Sequence, residues 1–422
     1  RFYKNMKDSC FNEFDPNALN VEDALNKILQ STKTKRICEL VKLKNSYGRV
    51  LAKDIKAKKD IPNYKNSAMD GYAVNFTDTS KNTFIFKCVG ESFAGHPFVG
   101  KVRPDDAIKV MTGALVPDNC NAVIMKEMVI EKDNVISVKS KIAKNQNIRF
   151  PGEDIKKNDL VLSKGKKIDE IDIGILASLG SSDVCVYSKP IIGFFSTGDE
   201  LISLGDTISK SQVYDSNRYL LHGLLQRYPV EIKDYGVVKD NITSITKKLK
   251  KASSECDLLL TTGGVSVGDA DFVKDALNKL GKINFWKIAV KPGRPLAYGK
   301  INRCLFFGLP GNPVSVVVTF NLFVNTAIRK MSGQSLSRSL SLEAKLESDI
   351  KKRKGRKEYK RGVLSANKGK LFVKCLKSQG SNILSSLKNA NCYIELEESI
   401  NKVNKGSYVK VIPFELESEY YD

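Results

Sequence analysis

Between residues 188 and 333 one pattern recurs: a short apolar run, a polar turn containing small residues, then a helical periodicity. Residues 256–260 are such a run, and 272–280 carry a helical pattern. Thr261-Thr262-Gly263-Gly264-Val265-Ser266-Val267-Gly268-Asp269-Ala270-Asp271 lies between them. Residues 191–195 lead into Ser196-Thr197-Gly198-Asp199-Glu200. Residues 304–307 lead into Gly308-Leu309-Pro310-Gly311-Asn312-Pro313 and a helix from about Val314. Val213-Tyr214-Asp215-Ser216-Asn217 opens another helix that runs to Arg227. Strands alternating with helices imply a parallel, doubly wound sheet. In such a sheet the turns at the strands' C-terminal ends gather along one edge, where ligands bind.

The turns carry the chemistry of an anion site. Gly263, Gly264 and Gly268 let the backbone approach a ligand, and exposed N–H groups favour negative charge. Asp269 and Asp271 then stand at the helix entrance, which suits a divalent cation bridging them to phosphate. The simpler alternative makes Asp269 an N-cap and the glycines a tight turn. Lys287, Lys291 and Arg294 surround Pro292-Gly293, and preorganised cations on such a loop read as an oxyanion clamp.

Composition narrows the function classes. Lys plus Arg number 69 against 47 Asp plus Glu, a balance of +22. The basic residues are spread along the chain, with no zinc-finger, RNP or helix-turn-helix signature, so an anionic substrate explains the field better than nucleic acid. The nine cysteines are scattered and read as reduced thiols, pointing to a cytoplasmic protein. His96 and His222 are the only histidines, so a zinc site is not expected. No apolar run approaches the ~18 residues of a membrane span. The sequence opens at Arg1 without a signal-peptide pattern, and a trimmed N-terminus is expected.

The flanking regions are of other kinds. Asn20 is placed to cap a helix with Asp23 at its third position, and Val21, Leu25 and Ile28 give that helix a narrow stripe needing a partner elsewhere. Residues 84–138 are short, β-rich and glycine-punctuated, suggesting a small barrel or sandwich. The spacing predicts a helix over 168–179, closed by Gly180. Past Gly333, five short strands are expected over 340–346, 359–364, 371–376, 393–396 and 408–413. Residues 351–361 form a strongly basic run.

Taken together, these motifs resemble those of the molybdopterin molybdenumtransferases of the MoeA type, and of the gephyrin E domain. The residues that carry the resemblance are Asn66-Ser67-Ala68-Met69-Asp70-Gly71-Tyr72-Ala73, Pro151-Gly152-Glu153-Asp154, Ser196-Thr197-Gly198-Asp199-Glu200-Leu201 and Asp215-Ser216-Asn217. Thr262-Gly263-Gly264-Val265-Ser266-Val267-Gly268-Asp269, Lys291-Pro292-Gly293-Arg294-Pro295 and Leu309-Pro310-Gly311-Asn312-Pro313-Val314-Ser315 continue it, in the family's order. The implied fold class is α/β plus β, in a multidomain chain. An elongated discontinuous domain (15–60 and 148–187) would carry dimerisation, with an inserted β-domain over 61–147. A molybdopterin-binding α/β domain (188–333) and a C-terminal β-barrel (334–422) would follow.

The resemblance also implies a reaction: molybdate and adenylylated molybdopterin yield molybdenum cofactor and AMP, with Mg²⁺ assisting. Asp70, Asp154, Asp269, Lys287 and Lys291 would be catalytic. Glu200, Asp269 and Asp271 would hold the metal. Thr112, Ser196, Thr197, Gly198, Asp215, Asn217, Gly263, Gly264, Ser266, Gly268, Arg294, Pro310, Gly311, Asn312, Ser315, Arg361 and Ser381 would bind the substrates. Many family members have Lys where this chain has Arg294. Implied partners are a second copy of the chain, the molybdopterin adenylyltransferase and molybdoenzyme acceptors. The alternatives are a molybdopterin adenylyltransferase, whose fold the α/β domain also resembles, and a non-catalytic gephyrin-like scaffold.

Overall fold

The structure is a computed structural model, and it describes residues 18–35, 37–77, 82–264, 272–336 and 340–414, apart from the Trp286 side chain. Within these, 18–39, 48–52 and 186–414 form one compact unit, and 40–47 and 53–185 form a second.

The first unit is built on a six-stranded sheet. Its strands are β1 (Ile191–Thr197), β2 (Glu231–Val238), β3 (Leu258–Thr262), β4 (Lys282–Lys287), β6 (Pro295–Ile301) and β7 (Cys304–Leu309). The short strand β5 (Val290–Lys291) lies outside this sheet. The spatial order is β2-β1-β3-β7-β6-β4. The pairs β1–β2, β1–β3 and β3–β7 are parallel, as the strand–helix alternation predicts. The last two strands differ from the parallel expectation, since β6 runs antiparallel to β7 and β4 antiparallel to β6. The reason is connection length. Ile301 pairs with Cys304, so two residues make the turn, and Asn302 takes the positive φ of 53° that such a turn needs.

Side-chain alternation explains why both faces of the sheet are covered. Ile192, Phe194, Leu258, Leu260, Leu305 and Phe307 enter one apolar core, while Phe195, Leu259 and Phe306 enter the other. Helix α1 (Val21–Ser31) and helix α2 (Ser216–Leu225) cover the first face. Helices α3 (Ile242–Glu255) and α4 (Phe272–Leu280) cover the second. The Asn20 cap forms as expected, its side chain accepting from the Asp23 N–H at 2.7 Å. The stripe that α1 presents finds its partner in this chain: Val21, Ala24 and Ile28 are buried in the first core, beside helix α6 (Asn325–Met331). Between β7 and α6 runs α5 (Pro313–Thr319), with Pro313 at its first turn, where the missing N–H costs nothing.

A closed five-stranded barrel completes this unit. Its strands are β8 (Leu342–Leu346), β9 (Lys357–Asn367), β10 (Lys370–Cys375), β11 (Cys392–Leu396) and β12 (Tyr408–Pro413). They pair in the order β9-β10-β8-β12-β11, and β11 returns to β9. Strand β5 joins the barrel through β9, with Lys291 opposite Glu358. The clamp loop is thereby anchored to the barrel.

The second unit holds a six-stranded sheet ordered Ala122–Met125, Gly71–Val74, Asp106–Val110, Phe84–Ser92, Val135–Val138, Ile130–Lys132. Two apolar clusters flank it, one around Phe84 and Phe86, the other around Ile108 and Val110. A helix over Glu170–Ser178 is shorter than the 168–179 expected from periodicity, because Asp169 and Asp172 form a capping box at its start. The eight described cysteines are all free thiols. No described helix is long and apolar enough to cross a membrane.

Candidate functional site

The parallel strands end in register, so their turns lie side by side. Ser196 pairs with Thr262, Thr262 with Leu309 and Thr197 with Val238. Gly198, Gly263 and Pro310 follow directly and Asp240 one residue later, and all four line one cavity of about 810 Å³. Gly263 has φ 81°, and a Cβ there would overlap the Thr197 carbonyl oxygen. A Cβ on Gly264, at φ 63°, would overlap the Thr197 hydroxyl. Glycine is required at both positions, since only a residue without a Cβ lets the two turns approach this closely.

Behind the cavity a hydrogen-bonded brace fixes the turns. Asn217 Nδ2 donates to Thr262 Oγ1 at 2.9 Å and to the Gly311 carbonyl at 2.6 Å. Ser196 Oγ donates to Asp215 Oδ1 at 3.1 Å, and the same oxygen caps α2 through the Arg218 N–H. Asp215 is buried. Ser196, Asp215 and Asn217 therefore support the wall rather than form it, although the sequence placed them among the ligand contacts.

Two groups of charges face the cavity. The first is basic and comes from the β5–β6 loop and the barrel. Lys291 and Arg294 flank Pro292-Gly293, and the Ile288 N–H closes the loop on the Arg294 carbonyl at 3.0 Å. A Cβ on Gly293, at φ 110°, would overlap the Thr319 methyl, so the loop rests directly on α5. Arg361 of β9 is completely buried, and Nη2 donates to the carbonyls of Ser378 and Gly380 at 3.2 Å each. Its Nε finds no hydrogen-bond partner among the described residues. Burial pulls the Arg361 pKa below its ordinary value, while Tyr393, Cys375 and Glu358 oppose that shift. A fully buried cation with an unused donor beside a cavity is poised for an anionic acceptor. Ser381 joins this wall, its carbonyl accepting from the Val314 N–H at 3.0 Å, next to Ser315.

The second group is acidic. Glu200 and Asp240 line the cavity, and the Asp240 N–H donates to Asp199 Oδ1 at 3.2 Å. Burial raises the Asp240 pKa above the usual carboxylate value, and the charges of Asp199 and Glu200 add to the rise. Among the described residues no group of three or more His, Cys, Asp or Glu forms a metal cage. Mg²⁺ rarely needs one, since it is commonly held by one or two carboxylates together with substrate phosphate and water. The raised pKa of Asp240 beside Glu200 fits that mode of binding.

The cavity thus gathers Thr197, Gly198, Glu200, Gly263, Gly264, Lys291, Arg294, Pro310, Gly311, Asn312, Ser315, Arg361 and Ser381 from the sequence-based set. Lys287 ends β4 and does not line it. Ser266, Gly268, Asp269 and Asp271 lie outside the described residues. Asp70, Thr112 and Asp154 belong to the second unit. There the Thr112 N–H and hydroxyl both donate to Asp70 Oδ1 at 2.8 Å, which lowers the Asp70 pKa. The exposed Asp154 donates its N–H to the Ile61 carbonyl at 3.0 Å. Sequence reading missed Asp240, Arg356, Glu358 and Tyr359 as cavity residues. Asp240 was findable, since it follows a parallel strand on the same edge; Glu358 was hidden inside a basic run. A larger cavity of about 970 Å³ lies beside α2 and α5, but Leu220, Leu224, Val317 and Leu387 make it largely apolar, without the paired charges seen here.

Comparison with known proteins covers nearly all of the chain. Residues 19–180 match the family described as the MoeA N-terminal region (domain I and II). Residues 194–330 match a probable molybdopterin binding domain, and 343–414 match the MoeA C-terminal region (domain IV). Over 399 residues the chain is 39% identical to the molybdopterin molybdenumtransferase of Haemophilus influenzae, covering 94% of this chain and 98% of that one. It is 32% identical to Dictyostelium discoideum gephyrin, of which it covers 62%. The molybdopterin biosynthesis moeA protein of Pyrococcus horikoshii has a similar structure, with a TM-score of 0.82 and 34% identity, over 94% of this chain and all of that one.

The Thr197–Gly263 approach makes a stability prediction. Gly263→Ala combines a strained φ with backbone overlap and should cost about 1–3 kcal/mol in chemical denaturation. Gly205, also at positive φ but in open space, is the control, and alanine there should cost less. Equal costs at the two sites would contradict the close approach.

Proposed function

The chain belongs to the MoeA family of molybdopterin molybdenumtransferases, and on that premise we propose that it inserts molybdate into adenylylated molybdopterin, releasing AMP. Its role as a transferase of molybdenum cofactor biosynthesis is the family's. The observation that carries the finer reading is Arg361, completely buried in the wall that also holds Lys291, Arg294 and Ser315, with Nε unpartnered among the described residues. Molybdate is a small tetrahedral dianion, and such a wall offers it charge and directed donors without reorganisation. The glycine turns at Gly198, Gly263 and Gly311 suit a larger ligand that lies along the sheet edge.

Glu200 and Asp240 would hold a magnesium ion, together with Asp269 and Asp271 if these face the same space. When bound, that ion supplies charge neutralisation for the pyrophosphate group. Asp240 must lose its proton to take part, so metal affinity is expected to rise with pH through its raised pKa. The remaining residues orient and bind. Arg361 holds the Ser378–Ser381 turn, and the Asn217 brace ties the Thr262 and Gly311 turns together.

An adenylyltransferase is the less favoured reading. Arg361 and Ser381 come from the barrel, beyond the molybdopterin-binding residues 194–330, and an enzyme made of that domain alone would lack both. A homodimer forms part of the proposal, with Asp70, Thr112 and Asp154 contributed to the partner protomer's cavity. Light scattering should report two protomers; a monomer at micromolar concentration would contradict it.

The direct assay is release of AMP from adenylylated molybdopterin, with and without molybdate. Molybdate-dependent release is expected, with no consumption of ATP. A scaffold would release no AMP, and an adenylyltransferase would consume ATP with free molybdopterin.

A further inference from the structure

A buried carboxylate in the wall of an anion pocket is unexpected, because it repels the ligand. Glu358 is such a group. It lines the cavity with its side chain only 5% exposed, yet its neighbours are basic. Lys291 Nζ lies 3.0 Å from Glu358 Oε1, and Lys360 Nζ lies 3.1 Å from the same oxygen. We propose that Glu358 is a positioning residue, which holds the Lys291 ammonium at the pocket wall ready for an incoming oxyanion. This rests on the reading of the cavity as a molybdate site.

Three observations support the assignment. The first is register: Lys291 and Glu358 are direct partners in the parallel β5–β9 pair, so their backbones are fixed beside each other. The second is the contrast in exposure. The Lys291 side chain is 47% exposed and has a flexible four-carbon stem, so alone it would sample many rotamers. Glu358 is immobilised by burial and can act as its tether. The third is charge balance. Lys291 and Lys360 together carry two positive charges against one negative, so the cluster stays net positive toward a ligand. Lys352 feels the charges of Glu358, Lys291 and Lys360 alike, which places all four in one neighbourhood. Without the carboxylate, the two ammonium groups would repel, and the more exposed Lys291 would swing into solvent.

The test is a double-mutant cycle in the full chain, with Glu358→Gln, Lys291→Ala and the pair. Readouts are AMP release against molybdate concentration, direct binding of adenylylated molybdopterin, and thermal melting. Glu358→Gln should raise the molybdate KM about tenfold, the scale of one charge-assisted hydrogen bond. It should leave kcat at saturating molybdate and nucleotide-substrate binding near wild type. In the Lys291→Ala background it should add nothing, because the effect passes through Lys291. Additive losses, or tighter molybdate use by Glu358→Gln, would overturn the proposal; the latter would make the carboxylate a competitor. If Lys291→Ala raises the molybdate KM and Glu358→Gln does not, only the role of Glu358 falls. If Lys291→Ala leaves molybdate dependence unchanged, the clamp reading falls, and the positioning role falls with it. Should Glu358→Gln melt early, the same cycle is run with Glu358→Asp, which keeps the charge but shortens its reach. A smaller rise that vanishes in the Lys291→Ala background is then expected, and a rise independent of Lys291 overturns the proposal.

Discussion

The parallel register of β1, β3 and β7 is the constraint from which the site follows. With Ser196 opposite Thr262 and Thr262 opposite Leu309, three polypeptide turns must emerge at one height along one edge. They crowd there, and the crowding is relieved only where Cβ atoms are missing, at Gly263 and Gly264. The polar side chains near the strand ends are then used twice. Thr262 ends a buried strand and also receives the Asn217 amide, which reaches on to Gly311. Stability and site geometry therefore share the same bonds, and a substitution in the brace disturbs both.

Charge is distributed with equal economy. The acids come from turns after β1 and β2, the cations from the β5–β6 loop and the barrel strand β9. Neither group is satisfied by itself. Asp240 is pushed toward its neutral form by burial and by its acidic neighbours, and Arg361 keeps an unused donor in a buried wall. A ligand that is anionic and carries a divalent cation would relieve both. Strand β5 links the two sources of cations mechanically, since its two residues tie the clamp loop to β9. The barrel thus lines the same cavity as the turns of the α/β sheet.

Much of this was legible in the sequence, for identifiable reasons. Turn residues keep their identity locally, so sequence alone places Gly263, Pro310-Gly311-Asn312 and Lys291-Pro292-Gly293-Arg294 on one edge. Tyr408–Pro413 and Phe272–Leu280 match the expected boundaries, because period-2 and 3.6-residue patterns there are uninterrupted. Long-range choices were not legible. Whether β6 returns antiparallel depends on a two-residue turn at Asn302 that apolar patterning does not report. The burial of α1 in the α/β core depends on a narrow stripe whose partner, α6, lies some three hundred positions away. The resemblance placed Asp215 among the substrate contacts, whereas its Oδ1 caps α2 and accepts from Ser196, bonds that the motif alone does not report. Glu358 carried no local signal at all, since its role exists only once β5 and β9 pair.

The central claim is that the basic wall of the cavity receives the oxyanion. The most direct measurement is the position of bound metal in crystals of the protein soaked in molybdate or tungstate, located by anomalous scattering. The account predicts a peak whose oxygens lie at hydrogen-bond distance, roughly 3 Å, from Arg361, Lys291 and the Ser381 turn. A peak elsewhere in the molecule, with this wall left to solvent, would contradict it.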